Sequence, residues 1–325
     1  MNISTLFTHM HQLLCCSLAP NTIRSYKSAF QKYVRFCQSH NLVVLPIIET
    51  NLMLFVTSIA KSSVSNIKIH ISAAKHFAAL NIGQHPFHFP RLYMLVRAIK
   101  RQAKKSRKRI PVTLPLLKVI HAWLLASPIT PADQIMLWAA LTTAFFGFLR
   151  SSEYVSAQVS KFDPHTTLCF EDVSYKPPNY YIHIKASKTD PFRVGCTICL
   201  SPSNSSVCPV RNLQNYIDLH PTKKGPLFTY SDHTLLTRRR LNTLLKAALP
   251  TTDDSSVSSH SLRIGAATTA AAGGLPRWLI QHMGRWSSDC FRTYIQIPSN
   301  TFGLVSHTLA TTIKEGNQFD PDLAG

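Results

Sequence analysis

His260-Ser261-Leu262-Arg263, followed by Gly284-Arg285-Trp286 and then Tyr294, is the stretch around which the rest of this chain makes sense. It gathers an imidazole, guanidinium groups and a phenolic hydroxyl within 35 residues. The intervening segment from Ile264 to Ala272 is small and helix-forming. Gly273 and Gly274 stop that helix, and Pro276 suits the first turn of the next one. Small residues let a helix and a ligand backbone approach closely, and the ligand these groups fit is a phosphodiester.

The rest of the chain agrees with a polyanionic partner. Lys and Arg number 35 against 15 Asp and Glu, a net charge of +20 over 325 residues. Such an excess suits phosphate neutralisation. The 15 acids form no convincing spaced set, which argues against a metal-dependent nuclease. The length suits two domains, at roughly 150 residues each. The first residues lack the charged start and apolar core of a signal peptide, and no apolar run reaches the roughly 18 residues of a membrane span. The scattered cysteines, with Cys15 and Cys16 adjacent, read as reduced thiols of an intracellular protein.

Residues 20–100 read as a small, mostly helical unit. Ile23, Tyr26, Phe30, Tyr33, Val34 and Cys37 recur at helical spacing, with Arg24 and Lys27 off that stripe and available to a phosphate backbone. Further helices are expected from about Thr50 to Ala60, from Ser62 to Leu80 with Lys68 on the polar side, and from Arg91 to Arg101. Between Arg97 and Arg109 eight positive charges, Lys104, Lys105, Arg107 and Lys108 among them, occur without one acid. A block that self-repels is poor core material, so 101–110 is expected to be an exposed linker. It reads as a strap on a phosphate backbone, a nuclear-localisation signal, or both.

Residues 111–325 form the larger domain. Helices are expected from Leu114 to Leu125 and from Pro131 to Arg150, the second strongly apolar. At its end Arg150 needs an anionic partner, and Glu153 lies three residues on, on the same helical face. The period then changes: Leu168-Cys169-Phe170, Tyr180 to Ala186 and Phe192 to Leu200 read as strands, with Lys188 at the tip of a hairpin. Cys196-Thr-Ile-Cys199 has the gap of a zinc knuckle, but a strand sends alternate residues to opposite faces and no second pair follows, so no metal is expected. Arg238-Arg239-Arg240 opens or lies within a helix and suits phosphate contact.

Taken together, Arg150, Lys188, His260, Arg263, Arg285 or Trp286, and Tyr294 match one kind of chemistry. A phosphodiester attacked at phosphorus gathers charge on its non-bridging oxygens, which two planar guanidiniums bind bidentately without a metal. A tyrosine nucleophile needs a base or a cationic pocket, histidine is the natural proton partner, and a mobile lysine can protonate the leaving hydroxyl. Tyr294 is the only tyrosine after Tyr230.

This ordered set resembles the tyrosine recombinase (phage integrase-like) family. Phe-Gly-Phe-Leu-Arg150-Ser-Ser-Glu153, Cys-Pro-Val-Arg211, Gly-Pro-Leu-Phe228 and Gly-Arg-Trp-Ser-Ser288 are similar to recombinases of eukaryotic mobile elements of the DIRS, Ngaro and Crypton types. The resemblance implies a mostly α fold with a small β-sheet: a helical core-binding domain at 1–100, a basic linker at 101–110, and a mixed α+β catalytic domain at 111–325 with a C-terminal tail. It implies attack by Tyr294 on a DNA phosphate, giving a 3′-phosphotyrosyl link and a free 5′-hydroxyl, with no cofactor or metal. Arg150 and Arg263 would clamp the phosphate, Lys188 would be the general acid, His260 would assist proton transfer and Glu153 would support the pocket. The implied assembly is a homotetramer on two double-stranded DNA sites, in which Thr301 to Ile313 could touch a neighbour. In a eukaryote the implied place is the nucleus.

One departure stands out. The family usually carries His or Trp directly after the glycine, nine residues before the tyrosine, where this chain has Arg285 followed by Trp286. Two alternatives share the fold or the chemistry: a recombinase-derived DNA-binding protein without catalysis, and a type IB topoisomerase-like enzyme.

Overall fold

The computed structural model describes residues 2–83, 88–103, 107–188, 190–220, 223–250, 255–293 and 295, and at Lys108 only the backbone. Of the expected site residues, Tyr294, Lys104, Lys105 and the Lys108 side chain therefore lie outside the described residues, as does the tail from 301 to 313. Contacts divide the chain into two units, Met1–Ser106 and Arg107–Gly325.

The first unit is helical: α1 (Ile3–Cys15), α2 (Pro20–Ser39), α3 (Glu49–Ser58), α4 (Val64–Ile82) and α5 (Pro90–Gln102). The stripe on α2 buries Tyr33 and Cys37 against Phe55, Ile67 and Ala74, while Phe30 stacks on Phe77 at 4.8 Å. Arg24, Lys27 and Lys68 are exposed, as an amphipathic pattern requires. Glu49 accepts from the Leu92 backbone N–H, tying α3 to the start of α5.

The second unit comprises β1 (Lys108–Arg109), α6 (Leu114–Ala126), α7 (Pro131–Phe146), α8 (Ser151–Tyr154), β2 (Val173–Lys176), β3 (Asn179–Ile184), β4 (Cys196–Leu200), α9 (Pro209–Asp218), α10 (Arg238–Ala248), β5 (Ser255–Ser256), α11 (Ser259–Ala272) and α12 (Arg277–Met283). Its centre is α7, buried continuously from Met136 to Phe145, which is why that helix reads as apolar all round. Leu213 and Tyr216 of α9 and Leu262, Ala266 and Ala267 of α11 share the same core. β2, β3 and β4 form an antiparallel sheet in that order, with Tyr180, Ile182 and Ile184 of β3 facing the core. The chain is thus mostly α with a small β-sheet.

Three local expectations need correction. The helix expected to reach Arg150 ends at Phe146: the N–H groups of Gly147 and Leu149 return to the carbonyls of Thr143 and Ala144, and Phe148 takes the left-handed conformation (φ 49°). Leu168–Phe170 is not a strand. A 3-10 turn occupies Phe170–Asp172, closed by the Asp172 carboxylate on the Cys169 N–H, and β2 starts only at Val173. Residues 192–195 form a turn ahead of β4, because the Asp190 carboxylate accepts the N–H groups of Val194 and Gly195.

Candidate active site

Arg150 is the N-cap of α8 rather than the last residue of α7, and Glu153 is its third residue. The Glu153 carboxylate turns back on that cap. Oε2 accepts the Arg150 backbone N–H at 2.8 Å and Oε1 accepts its Nη1 at 3.2 Å. Arg150 Nη1 also donates to the hydroxyl of Ser187. This contact fixes the turn that carries Lys188, which lies exposed between Ser187 and Asp190.

Arg285 approaches the same carboxylate from the opposite side. Its Nη2 donates to Glu153 Oε2 at 2.8 Å and to the Phe148 carbonyl at 3.1 Å. Its Nη1 donates to the carbonyls of Gly147 and Met283 at 3.1 and 3.3 Å. The two terminal nitrogens of a guanidinium carry four hydrogens, and here four acceptors face them. Glu153 is almost wholly buried, with one negative charge serving two guanidiniums.

Arg263 lies deeper still, at 0% exposure. Its Nη1 and Nη2 donate to the carbonyls of Phe148 and Gly284, and its guanidinium carbon sits 4.3 Å from the centre of the Trp286 ring. A desolvated cation over an indole gains about 2 kcal/mol. Trp286 in turn meets Phe148 edge-on and packs near Phe291. The fit leaves no room beneath the indole: a Cβ on Gly284 would fall 1.6 Å from Cζ3 of Trp286. Arg285 and Trp286 therefore do different things, the first pairing with Glu153 and the second covering Arg263.

His260 opens α11, half-buried. Burial first, and then the positive charges of Arg109, Arg263, Arg150 and Lys188, pull its pKa down from 6.5 to about 4. At neutral pH the imidazole is uncharged. The structure thus brings Arg150, Glu153, Lys188, His260, Arg263, Arg285 and Trp286 into one cluster, with cations in excess. An open cleft of about 430 Å³ runs beside it, lined by Ser187, Asp190, Phe192, Cys196, Arg285 and Trp286 among others.

Other expected contacts lie elsewhere in the chain. Arg107 and Arg239 are exposed, and Arg240 lies over the Tyr230 ring at 4.6 Å while donating to the Thr234 hydroxyl. Arg238 is half-buried at the start of α10, its backbone N–H held by the Ser156 carbonyl. Cys196 is half-buried and Cys199 exposed, and no disulfide forms among the eight cysteines. Among the described residues no helix is long and apolar enough to cross a membrane. In the sequence Arg109 is marked only by the basic run, and Ser187 by no motif of its own. No spacing rule pairs residue 109 with residue 256.

No protein-family model matches the chain. The chain is 24% identical over 288 residues, 84% of its length, to an integrase/recombinase XerD homolog of Selenomonas ruminantium, covering 80% of that protein. Two solved structures share its fold at 14% identity. A XerH site-specific recombinase bound to a palindromic difH substrate superposes with a TM-score of 0.59 over 88% of this chain and 77% of that one. A lambda integrase dimer bound to a COC′ core site gives 0.57 over 91% and 77%. The fold is that of the tyrosine recombinases. With the sequence similarity to the XerD homolog, these likenesses support the tyrosine recombinase/integrase family for this chain.

Proposed function

We propose that this chain is a site-specific DNA recombinase that breaks and rejoins double-stranded DNA through a 3′-phosphotyrosyl intermediate at Tyr294, in the integration or excision of a mobile element. The observation that carries this reading is the neutral His260 set among Arg109, Arg150, Lys188 and Arg263. A site with surplus positive charge is built to hold a phosphodiester, whose negative charge would raise the proton affinity of the imidazole beside it.

The steps balance without an energy source. The Tyr294 hydroxyl gives its proton to His260 as its oxygen bonds to phosphorus. The bond from phosphorus to the 5′-oxygen breaks, and that oxygen takes a proton from Lys188. Attack by a 5′-hydroxyl of a partner duplex reverses each transfer and releases the tyrosine. Arg150 binds a non-bridging oxygen, and Arg263 adds its charge from beneath the pocket floor. Glu153 and Arg285 hold Arg150 in place. DNA-bound dimers and tetramers among proteins of this fold support a homo-oligomer, a tetramer on two DNA sites. Arg24, Lys27, Lys68 and Arg107 are exposed and suit phosphate contacts away from the cleaved bond.

The test is covalent trapping on nicked duplexes in which the 5′-hydroxyl fragment diffuses away. Wild-type protein is expected to give a DNA adduct that survives denaturant and forms equally in a metal chelator. DNA binding without any adduct is the outcome of a recombinase-derived binding protein and contradicts the proposal. Relaxation of one supercoiled duplex without exchange between two would favour a topoisomerase.

A further inference from the structure

Resting on the phosphodiester reading above, we propose that Arg109 is a further phosphate-binding residue of this site, supplying the external cation that the inward-turned Arg285 does not.

Arg285 occupies the turn after Gly284, next to the pocket, yet its terminal nitrogens are already committed to Glu153 and to the carbonyls of Gly147, Phe148 and Met283. Reaching a ligand would require breaking several of these bonds, the one to the buried Glu153 carboxylate among them. Arg263 is likewise turned inward, beneath Trp286. Two of the guanidiniums nearest the pocket therefore have their terminal nitrogens given over to protein acceptors.

Arg109 arrives from another direction. β1 runs parallel to β5, with Arg109 opposite Ser256, four residues before His260. The strap continues along α11: the Ile110 N–H donates to the Ser256 carbonyl and the Val112 N–H to the Ser261 carbonyl, both at 2.9 Å. The approach is so close that a Cβ on Gly265 would fall 1.8 Å from the Val112 carbonyl oxygen. Residues 109–112 are thus fixed against the segment that delivers His260. Arg109 itself is exposed, and among the charges acting on His260 its own is the largest, ahead of Arg263 and Arg150. An exposed guanidinium on backbone fixed beside the His260 segment, its charge already acting on that imidazole, can meet a phosphate oxygen bidentately.

The experiment compares rates of covalent adduct formation for wild type, Arg109→Ala and Arg109→Lys on two nicked duplexes. One carries the ordinary phosphodiester at the cleavage position, the other a methylphosphonate, in which a methyl group replaces one non-bridging oxygen and removes the charge. On the phosphodiester, Arg109→Ala is expected to slow the adduct roughly 100- to 1,000-fold, the scale of one lost donor to a developing oxyanion. Arg109→Lys should recover part of that loss. On the methylphosphonate the alanine defect should shrink to a few-fold, a pattern that a merely structural role would not produce. Melting temperatures of both variants are read alongside, so that a loss of fold is told apart from a loss of phosphate contact. Wild-type rates in Arg109→Ala, or an equal defect on both substrates, overturn the assignment while leaving the strand-exchange reading intact. No adduct with wild-type protein on either substrate overturns that reading and this inference together.

Discussion

Arg285 and Glu153 meet at 2.8 Å across 132 residues of sequence, on the carboxylate whose other oxygen holds Arg150 at 3.2 Å. Glu153 is therefore a bridge, and its charge offsets the repulsion between two guanidiniums in a buried setting. Replacing it with Gln leaves both cations without their counter-charge. Removing one partner of a buried pair costs about 3–5 kcal/mol. Glu153→Gln should show a loss on that scale in urea unfolding, and Arg285→Ala, which leaves Glu153 its pair with Arg150, a smaller one. The double variant should lose much less than the sum of the two. Additive losses would mean that the pair is not coupled.

Gly284 is a second point of tension. Alanine there must displace Trp286, because the new methyl would overlap the indole. Overpacking of this kind costs about 1–3 kcal/mol, and here the Arg263–Trp286 contact is lost as well. Gly284→Ala should melt lower and expose additional tryptophan emission to iodide. In a Trp286→Phe background the same substitution should leave quenching unchanged. An unchanged melting temperature would show that the indole does not sit over Gly284.

His260 carries a pH signature. Its folded pKa of about 4 lies below the ordinary 6.5, so between these values the unfolded chain binds a proton that the folded chain does not. Stability from this group therefore rises with pH across that window. It is fully present above pH 6.5 and lost as pH falls toward 4. His260→Gln should lose less melting temperature than wild type on moving from pH 7.5 to 4.5. Parallel losses in the two proteins would place the imidazole in an ordinary solvated setting.

Much of the architecture was legible because its signals are local. The stripe Tyr33–Cys37, the unbroken apolar run of α7 and the alternation in β3 each report burial through spacing alone. His260 and Arg263 fall on one helix for the same reason. What escaped depends on contacts distant in sequence. Helical spacing put Arg150 and Glu153 on one face of a long helix. The left-handed turn at Phe148 instead makes Arg150 a cap and folds Glu153 back on it. Whether Arg285 or Trp286 served the pocket could not be decided from order. Each takes a separate task, set by carbonyls at 147 and 148 that no motif announces. The run from Arg97 to Arg109 reads as an exposed linker, yet at Arg109 it becomes a strand through pairing with Ser256. Helix α1 was not anticipated, since its apolar residues Phe7, Met10 and Leu14 find no core to fill.

The most direct measurement is the identity of the covalent link. Wild-type protein trapped on a nicked duplex can be digested and the DNA-bound peptide sequenced by mass spectrometry, while the released strand is tested for direct 5′-labelling by a polynucleotide kinase. The account predicts a peptide joined through Tyr294 to a 3′-phosphate, a released strand that labels without prior phosphatase treatment, and no adduct in Tyr294→Phe. A link through any other residue, a 5′-phosphate linkage, or an adduct that persists in Tyr294→Phe would contradict it.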